Sequence, residues 1–185
     1  MERRTIDYLV STAGLLLVAV LAVAGGLLLW GHNYIDGQVT SQLSSQKIVF
    51  PTVKSDPVIA QPQYAAVRAE SGQQVLTGQQ AEVYANDLIG NDLQAIAGGK
   101  TYSQLSTQAL QDPSNTALQS EVDLVFKGDT LRGLLLNAYA FGTMGQIAGW
   151  ASLAAFIGAG LLLVLSLLGL LHARRASANA AASES

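Results

Sequence analysis

The 185-residue sequence predicts an all-α membrane protein: two antiparallel transmembrane helices, a small helical domain outside the cytoplasm, and a last helix that runs continuously from that domain into the second span. Three observations lead to this prediction. There are two long uncharged runs, basic residues lie between each run and the nearer chain end, and the segment between the runs has helical periodicity. Only 12% of the residues are charged, whereas about 25% is usual in soluble domains.

The first uncharged run predicts a transmembrane helix over residues 8–30. At about 1.5 Å per residue this helix would be about 35 Å long, enough for a hydrocarbon core of about 30 Å. Trp30, the last residue of the run, and Tyr34, four residues later, are expected to anchor it in the outer membrane interface. A secretory signal peptide with a cleavage site at Ala22-Val23-Ala24 is the alternative, but the apolar run continues past that site to Trp30.

The second uncharged run covers residues 133–171, nearly twice the length that a bilayer requires. Residues 150–171 are almost purely apolar, so we predict the second span there, with Trp150 as its outer interface anchor. Residues 130–149 would then continue the same helix outward into the domain.

The orientation follows from the basic residues near the ends of the spans. Arg3 and Arg4 precede the first span, and Arg174 and Arg175 follow the second. The positive-inside rule therefore predicts cytoplasmic residues 1–7 and 172–185, with residues 31–149 outside the cytoplasm at the plasma membrane. The low-complexity tail, residues 172–185, is predicted to be disordered.

The segment between the spans predicts several short helices. Residues 38–75 are rich in Ser, Gln and Pro and are expected to be irregular, with Ile48-Val49-Phe50 as a short strand or extended strap. Residues 77–97 predict a helix capped by Thr77 and ended by Gly98-Gly99. A short helix is expected over residues 103–111.

Two further helices are expected before the second span. Asp112-Pro113 is typical of a helix start, with Asp as the cap and Pro at the first position, and Gly128 would end that helix. Asp129 or Thr130 would then cap the last helix, which runs into the second span.

The outward part of this last helix is hydrophobic nearly all round. One face is predicted to form the core of the domain: Leu131, Leu134, Leu135, Ala138, Phe141 and Met144. Leu136 and Tyr139 lie on another face and are candidate interface residues, because a helix of this kind favours burial on every side. Either a second subunit or the segment 38–75 would cover them.

Two small-residue pairs predict close helix packing in the membrane: Ala22-x-x-x-Gly26 in the first span and Gly145-x-x-x-Gly149 just before the second. The spans would pack on each other or on a partner, either a second copy or another membrane protein. Neither span contains an ionisable residue, which argues against an ion path through this chain alone.

The sequence predicts no catalytic residue, metal or cofactor. It has no cysteine, and His32 and His172 lie at opposite ends of the predicted spans. Gly98-Gly99-Lys100-Thr101 resembles the end of a phosphate-binding P-loop, but that motif needs a glycine at the position that Gln94 occupies. The net charge of −3 gives no reason to expect nucleic-acid binding.

Two pairs of carboxylates remain as candidates for a cation site, Asp87 with Asp92 and Glu121 with Asp123. Neither pair matches an EF-hand loop. We interpret both pairs as solvated surface residues.

Residues 97–103 (AGGKTYS) and 128–139 (GDTLRGLLLNAY) resemble a family of small two-span proteins of actinobacteria. The resemblance covers the first span and roughly residues 78–171. It implies a two-span topology in a bacterial cell membrane and no catalytic residues. Some members are labelled aromatic-ring-opening dioxygenases, but those enzymes need metal-ligating histidines and carboxylates, and this sequence offers no such set.

The first functional hypothesis is a non-enzymatic accessory or scaffolding subunit that interacts with other envelope proteins. The second is an extracytoplasmic ligand-binding sensor. Because the tail after Leu171 is too short for a signalling domain, a sensor would signal through a partner. An envelope enzyme ranks last.

Overall fold

A computed structural model describes residues 3–183 as an all-helical fold, 83% helix. The chain divides into two compact units: Met1–Asn33 with Gly145–Ser185, and Tyr34–Met144. The α-helices are α1 (Arg3–Gln46), α2 (Ala65–Ala69), α3 (Gly78–Val83), α4 (Gly90–Ile96), α5 (Tyr102–Gln111) and α6 (Thr116–Ser183). A π-helical segment, Tyr84–Ile89, lies between α3 and α4, and two short 3-10 helices, Pro57–Ala60 and Pro62–Tyr64, precede α2.

Helices α1 and α6 are long and apolar enough to cross a membrane. In the most apolar 18-residue stretch of each, only 6% and 11% of the residues are buried within the protein. The central helix of a soluble domain would be mostly buried, so these two helices present their apolar surface outward.

The first unit is packed through serine and glycine residues. The Ser152 hydroxyl donates a hydrogen bond of 2.8 Å to the Gly25 carbonyl oxygen, and the ring of Phe156 lies against Gly25. Gly14 faces Ser166, and Gly169 faces Ser11. All three serines are buried, whereas the predicted pair Ala22 and Gly26 is exposed.

The prediction of irregular structure over residues 38–75 is wrong for α2 (Ala65–Ala69), and it is wrong for residues 38–46 because helix α1 continues to Gln46. The reason is tertiary packing: Val39 and Leu43, one turn apart, are buried in the core of the second unit. Lys47 follows with a positive φ of 54° and ends the helix in the left-handed conformation.

Helix α6 is one helix where the sequence predicted two. It begins at Thr116, where the Asn115 side chain accepts a hydrogen bond from the Leu118 N–H, so Asp112-Pro113 does not start it. Gly128 lies inside the helix because Leu93 packs onto it; a Cβ at Gly128 would be 2.5 Å from Leu93 Cδ2. The Thr130 hydroxyl donates to the Phe126 carbonyl oxygen one turn earlier and is not a cap.

The end of α6 also differs from the prediction. Disorder was predicted for residues 172–185, but the helix continues to Ser183. Alanine, the strongest helix former, is frequent in this tail. Residues 184 and 185 lie outside the described part of the chain.

Residues 47–75 form a strap in the second unit. Val49 makes an isolated antiparallel bridge with Gln74, which agrees with the short extended segment predicted at residues 48–50. The strap contributes much of the core, with buried residues Phe50, Ile59, Tyr64, Val67 and Val75. Leu135, Leu136 and Ala138 of α6 pack against this same cluster, so the strap covers that face of the helix.

The predicted core face of α6 is wrong for most of its members. Leu131, Leu134, Phe141 and Met144 are exposed. The buried face instead carries Gly142, whose Cβ, if present, would lie 3.1 Å from the Gly78 Cα. Two glycines facing each other let the start of α3 reach the backbone of α6, and this close approach determines which face is covered.

Candidate functional site

A cleft of about 350 Å³ lies in the second unit, between the π-helical segment, α4, the loop before α5, and α6. Its lining is mostly polar: Asn86, Gly90, Asn91, Leu93, Gln94, Gly99, Lys100, Thr101, Val125, Asp129 and Arg132. Leu93 and Val125 give it an apolar floor. They belong to a small hydrophobic cluster with Ala97 and Leu105.

Arg132 is the partly buried cation of the cleft, and Asn86 holds it in place. The Asn86 side-chain oxygen accepts hydrogen bonds from Nη2 (2.9 Å) and from Nε (3.3 Å) of Arg132. Asn86 is part of the π-helical segment, a rare conformation found frequently at functional sites. An amide oxygen carries no net charge, so this contact orients the guanidinium without neutralising it.

Lys100 lies at the exposed rim of the cleft on the loop between α4 and α5. Gly98 and Gly99 have positive φ angles of 58° and 79°, which confirms the predicted glycine termination of the preceding helix. The Lys100 ammonium donates to the Gln108 side-chain oxygen at 3.0 Å, again a neutral partner.

Thr101 starts α5 rather than a phosphate loop. Its hydroxyl accepts from the Gln104 N–H, and the Gln104 side-chain oxygen accepts from the Thr101 N–H. This reciprocal pair is a capping box, which stabilises the first turn of α5.

The charge of the cleft is opposite to that of the segment that contains it. Residues 31–132 carry six basic and ten acidic side chains. The cleft nevertheless combines Lys100 and Arg132 with a single carboxylate, Asp129. Its remaining polar side chains are neutral amides and one hydroxyl, so a bound molecule would experience a weakly positive site.

Of the carboxylates considered from the sequence, that of Asp92 has a structural contact. The Tyr64 hydroxyl donates a 2.7 Å hydrogen bond to Asp92, which ties the strap to α4. Burial raises the pKa of Tyr64 to about 12, and the hydrogen bond to Asp92 adds to the increase. Glu121 and Asp123 are two residues apart on α6, and side chains at that spacing do not face each other.

Asp87 makes a structural contact through its backbone and not through its carboxylate. Its carbonyl oxygen accepts a 2.7 Å hydrogen bond from the Asn91 side chain, which also donates to the Gln63 carbonyl oxygen at 3.2 Å. Asn91 therefore links α4 to the strap beside the cleft.

The packing and interface residues predicted from the sequence have mixed positions. In the first unit, the Nδ1 of His32 donates to the Gly145 carbonyl oxygen at 2.9 Å, and the ring of His32 lies against Gly149. Trp30 and Trp150 expose most of their surface, as does Tyr34 in the second unit. Leu136 and Tyr139 are half-buried.

The sequence-based reasoning missed Arg132 and Asn86 as a pair, because 46 positions separate them and no motif connects them. It also missed Ser11, Ser152 and Ser166. Polar residues inside apolar runs are a recognisable indication of helix contacts, so these three could have been identified.

Comparisons of the chain with protein-family models, curated proteins and solved structures give no match. The resemblance to the actinobacterial family therefore stays a prediction.

Proposed function

We propose that the chain is a two-span membrane protein whose second unit, Tyr34–Met144, is held outside the cytoplasm at a bacterial cell membrane. Two features support insertion in lipid: the outward apolar surface of α1 and α6, and the basic residues beyond each run. Ser11, early in α1, contacts Gly169, late in α6, whereas Gly25, later in α1, contacts Ser152, earlier in α6. This order supports an antiparallel pair of spans.

The orientation is open to a direct test. A reporter active only outside the cytoplasm, inserted after Gln73, is expected to be active, because residue 73 lies between the two spans in the segment predicted to be outside the cytoplasm. The same reporter fused after Ser185 is the control and is expected to be inactive. Activity at Ser185 and none at Gln73 would reverse the proposed topology.

The function proposed for the outer domain is binding of a small polar ligand. Ligand binding would be signalled through a partner protein in the membrane. The observation that carries this proposal is the Arg132 guanidinium, oriented by Asn86 in a 350 Å³ cleft. The volume of the cleft falls within the roughly 300–1,000 Å³ of small-molecule sites, and its mostly polar lining suits a polar ligand. The proposed role is binding rather than catalysis.

Gly90 offers a way to block the cleft without removing any of its polar groups. A Cβ at Gly90 would lie 3.5 Å from the Ala85 carbonyl oxygen and 3.7 Å from Arg132 Nε, which is ordinary contact distance. A Gly90→Leu chain is therefore expected to fold and to fill the cleft. We expect the wild-type chain, affinity-purified from native membranes, to carry a small molecule that Gly90→Leu loses by at least about tenfold, as measured by mass spectrometry.

The control is Gly133→Leu, because a Cβ at Gly133 meets nothing within 4 Å and Gly133 is not part of the cleft. This variant should retain the molecule. If wild-type and Gly90→Leu chains carry the same small molecules in equal amounts, ligand binding in the cleft is wrong.

A second candidate function is the accessory or scaffolding role, and a different surface favours it. Five large apolar side chains of α6 in the second unit are 55–61% exposed: Phe126, Leu131, Leu134, Phe141 and Met144. Exposed apolar groups in such number are typical of protein contact surfaces. In the same purification, a stoichiometric protein companion present with both glycine variants would support this role.

A further inference from the structure

We infer that the molecule bound in the cleft carries a single carboxylate group, to which the guanidinium of Arg132 donates hydrogen bonds. This inference rests on the proposed ligand-binding function and names the chemical class of its ligand.

The donor geometry of Arg132 selects an oxyanion. A guanidinium has two edges that offer paired N–H donors, one formed by Nε and Nη2 and the other by Nη1 and Nη2. Asn86 occupies the first edge, since its oxygen accepts from both Nε and Nη2. The second edge keeps the fork that matches the two oxygens of a carboxylate or phosphate.

The charge balance of the cleft favours a carboxylate over a phosphate. Lys100 and Arg132 contribute two positive charges and Asp129 one negative charge, which leaves a net charge matched by a monoanion. A phosphate group carries about −1.5 to −2 at neutral pH, which exceeds the positive charge of the cleft and would leave the occupied cleft with a net negative charge. The amides of Asn91 and Gln94 and the Thr101 hydroxyl then line the space left for an uncharged polar remainder.

Saturation-transfer NMR on the full chain in detergent micelles tests this class, because it detects binding in the millimolar range. The probes are acetate, lactate and glycolate, each compared with its primary amide, which has nearly the same shape and no charge. We expect saturation transfer to the acids and at least about fivefold less to the amides, since a charge-assisted bidentate contact is lost. Inorganic phosphate has no non-exchangeable proton to observe, so it is added as a competitor, and it should reduce transfer to lactate less than an equal concentration of acetate does.

Variants at the two charged positions give opposite expected results. Arg132→Gln should reduce transfer to lactate at least about fivefold, and Arg132→Lys should retain part of it, because lysine keeps the charge and loses the fork. Asp129→Asn should strengthen lactate binding by about two- to fivefold, because a like charge near the site is removed. A gain of this kind does not arise from misfolding.

The outcomes separate this inference from the function on which it rests. If acids and amides bind equally well, and Gly90→Leu abolishes both, the cleft binds ligands but the carboxylate assignment is wrong. The same holds if Arg132→Gln or Asp129→Asn leaves lactate binding unchanged. If none of the probes shows transfer at about 50 mM, or if Gly90→Leu changes nothing, the cleft assignment fails as well.

Discussion

Replacing Gly142 with leucine is expected to lower the free energy of unfolding of the second unit, Tyr34–Met144, by about 3 kcal/mol or more. A Cβ at this position would lie 3.1 Å from the Cα and 3.5 Å from the backbone nitrogen of Gly78. Both obstacles are backbone atoms, which cannot rotate away as a flexible side chain can. The start of α3 would have to separate from α6, and the strap core packed around it would open.

Thermal denaturation of the purified full chain, followed by circular dichroism, measures this effect. A loss of this size should lower the melting temperature of the domain by about 10–20 °C. Gly133→Leu is the matched control, with the same substitution on the same helix and no atom within 4 Å of the added Cβ. It should be neutral or slightly stabilising, because leucine has the higher helix propensity.

Gly78, the α3 residue of the same contact, is equally enclosed by backbone atoms. At Gly78 a Cβ would meet the Ala138 carbonyl oxygen at 3.1 Å and the Cα atoms of Tyr139 and Gly142 at 3.2 Å. Equal melting temperatures for Gly142→Leu and Gly133→Leu would show that α3 and α6 do not approach each other closely at Gly78 and Gly142.

A chain carrying Ser11→Cys and Gly169→Cys is expected to form an intramolecular disulfide nearly quantitatively. The Ser11 Cβ and a Cβ built at Gly169 are 3.8 Å apart, close to the mean Cβ separation in disulfides of about 3.8 Å. The natural sequence has no cysteine, so no competing thiol is present. Oxidation in membranes with a permeant catalyst, followed by mass spectrometry and non-reducing electrophoresis, reports the bond.

The control for this pair is Leu9→Cys with Gly169→Cys. Leu9 lies two residues from Ser11 on α1, but it is exposed and on another face of the helix. This pair should give free thiols or intermolecular dimers only. A disulfide within one chain at equal yield in both pairs, or in neither, would contradict the serine–glycine packing of the two helices.

Serine–glycine contacts fit a low-polarity environment. Between two helices surrounded by lipid there is little hydrophobic driving force, so close van der Waals packing and hydrogen bonds hold the helices together. The Ser152 hydroxyl is buried and donates to the Gly25 carbonyl oxygen. The predicted pair Ala22 and Gly26 is exposed on α1, so its docking on a partner stays a prediction.

Local interactions are what the sequence alone determined. Thr77 caps α3 as predicted, in a capping box with Gln80, and Gly98 and Gly99 terminate the preceding helical region with positive φ. The all-helical fold and the two long apolar helices likewise follow from composition and periodicity. Each of these features depends on residues within a few positions of one another, so local sequence patterns are sufficient to predict it.

Only the tertiary structure decided where the faces of α6 point and where the cleft lies. Gly128 was predicted to end a helix, but Leu93 packs onto it and the helix continues. Hydrophobicity favoured Leu134 and Phe141 for the core, yet the approach of Gly78 to Gly142 buries the other side. The physical reason is the same in each case: contacts between residues far apart in the chain outweigh local preferences of about 1 kcal/mol, and such contacts leave no pattern in neighbouring residues.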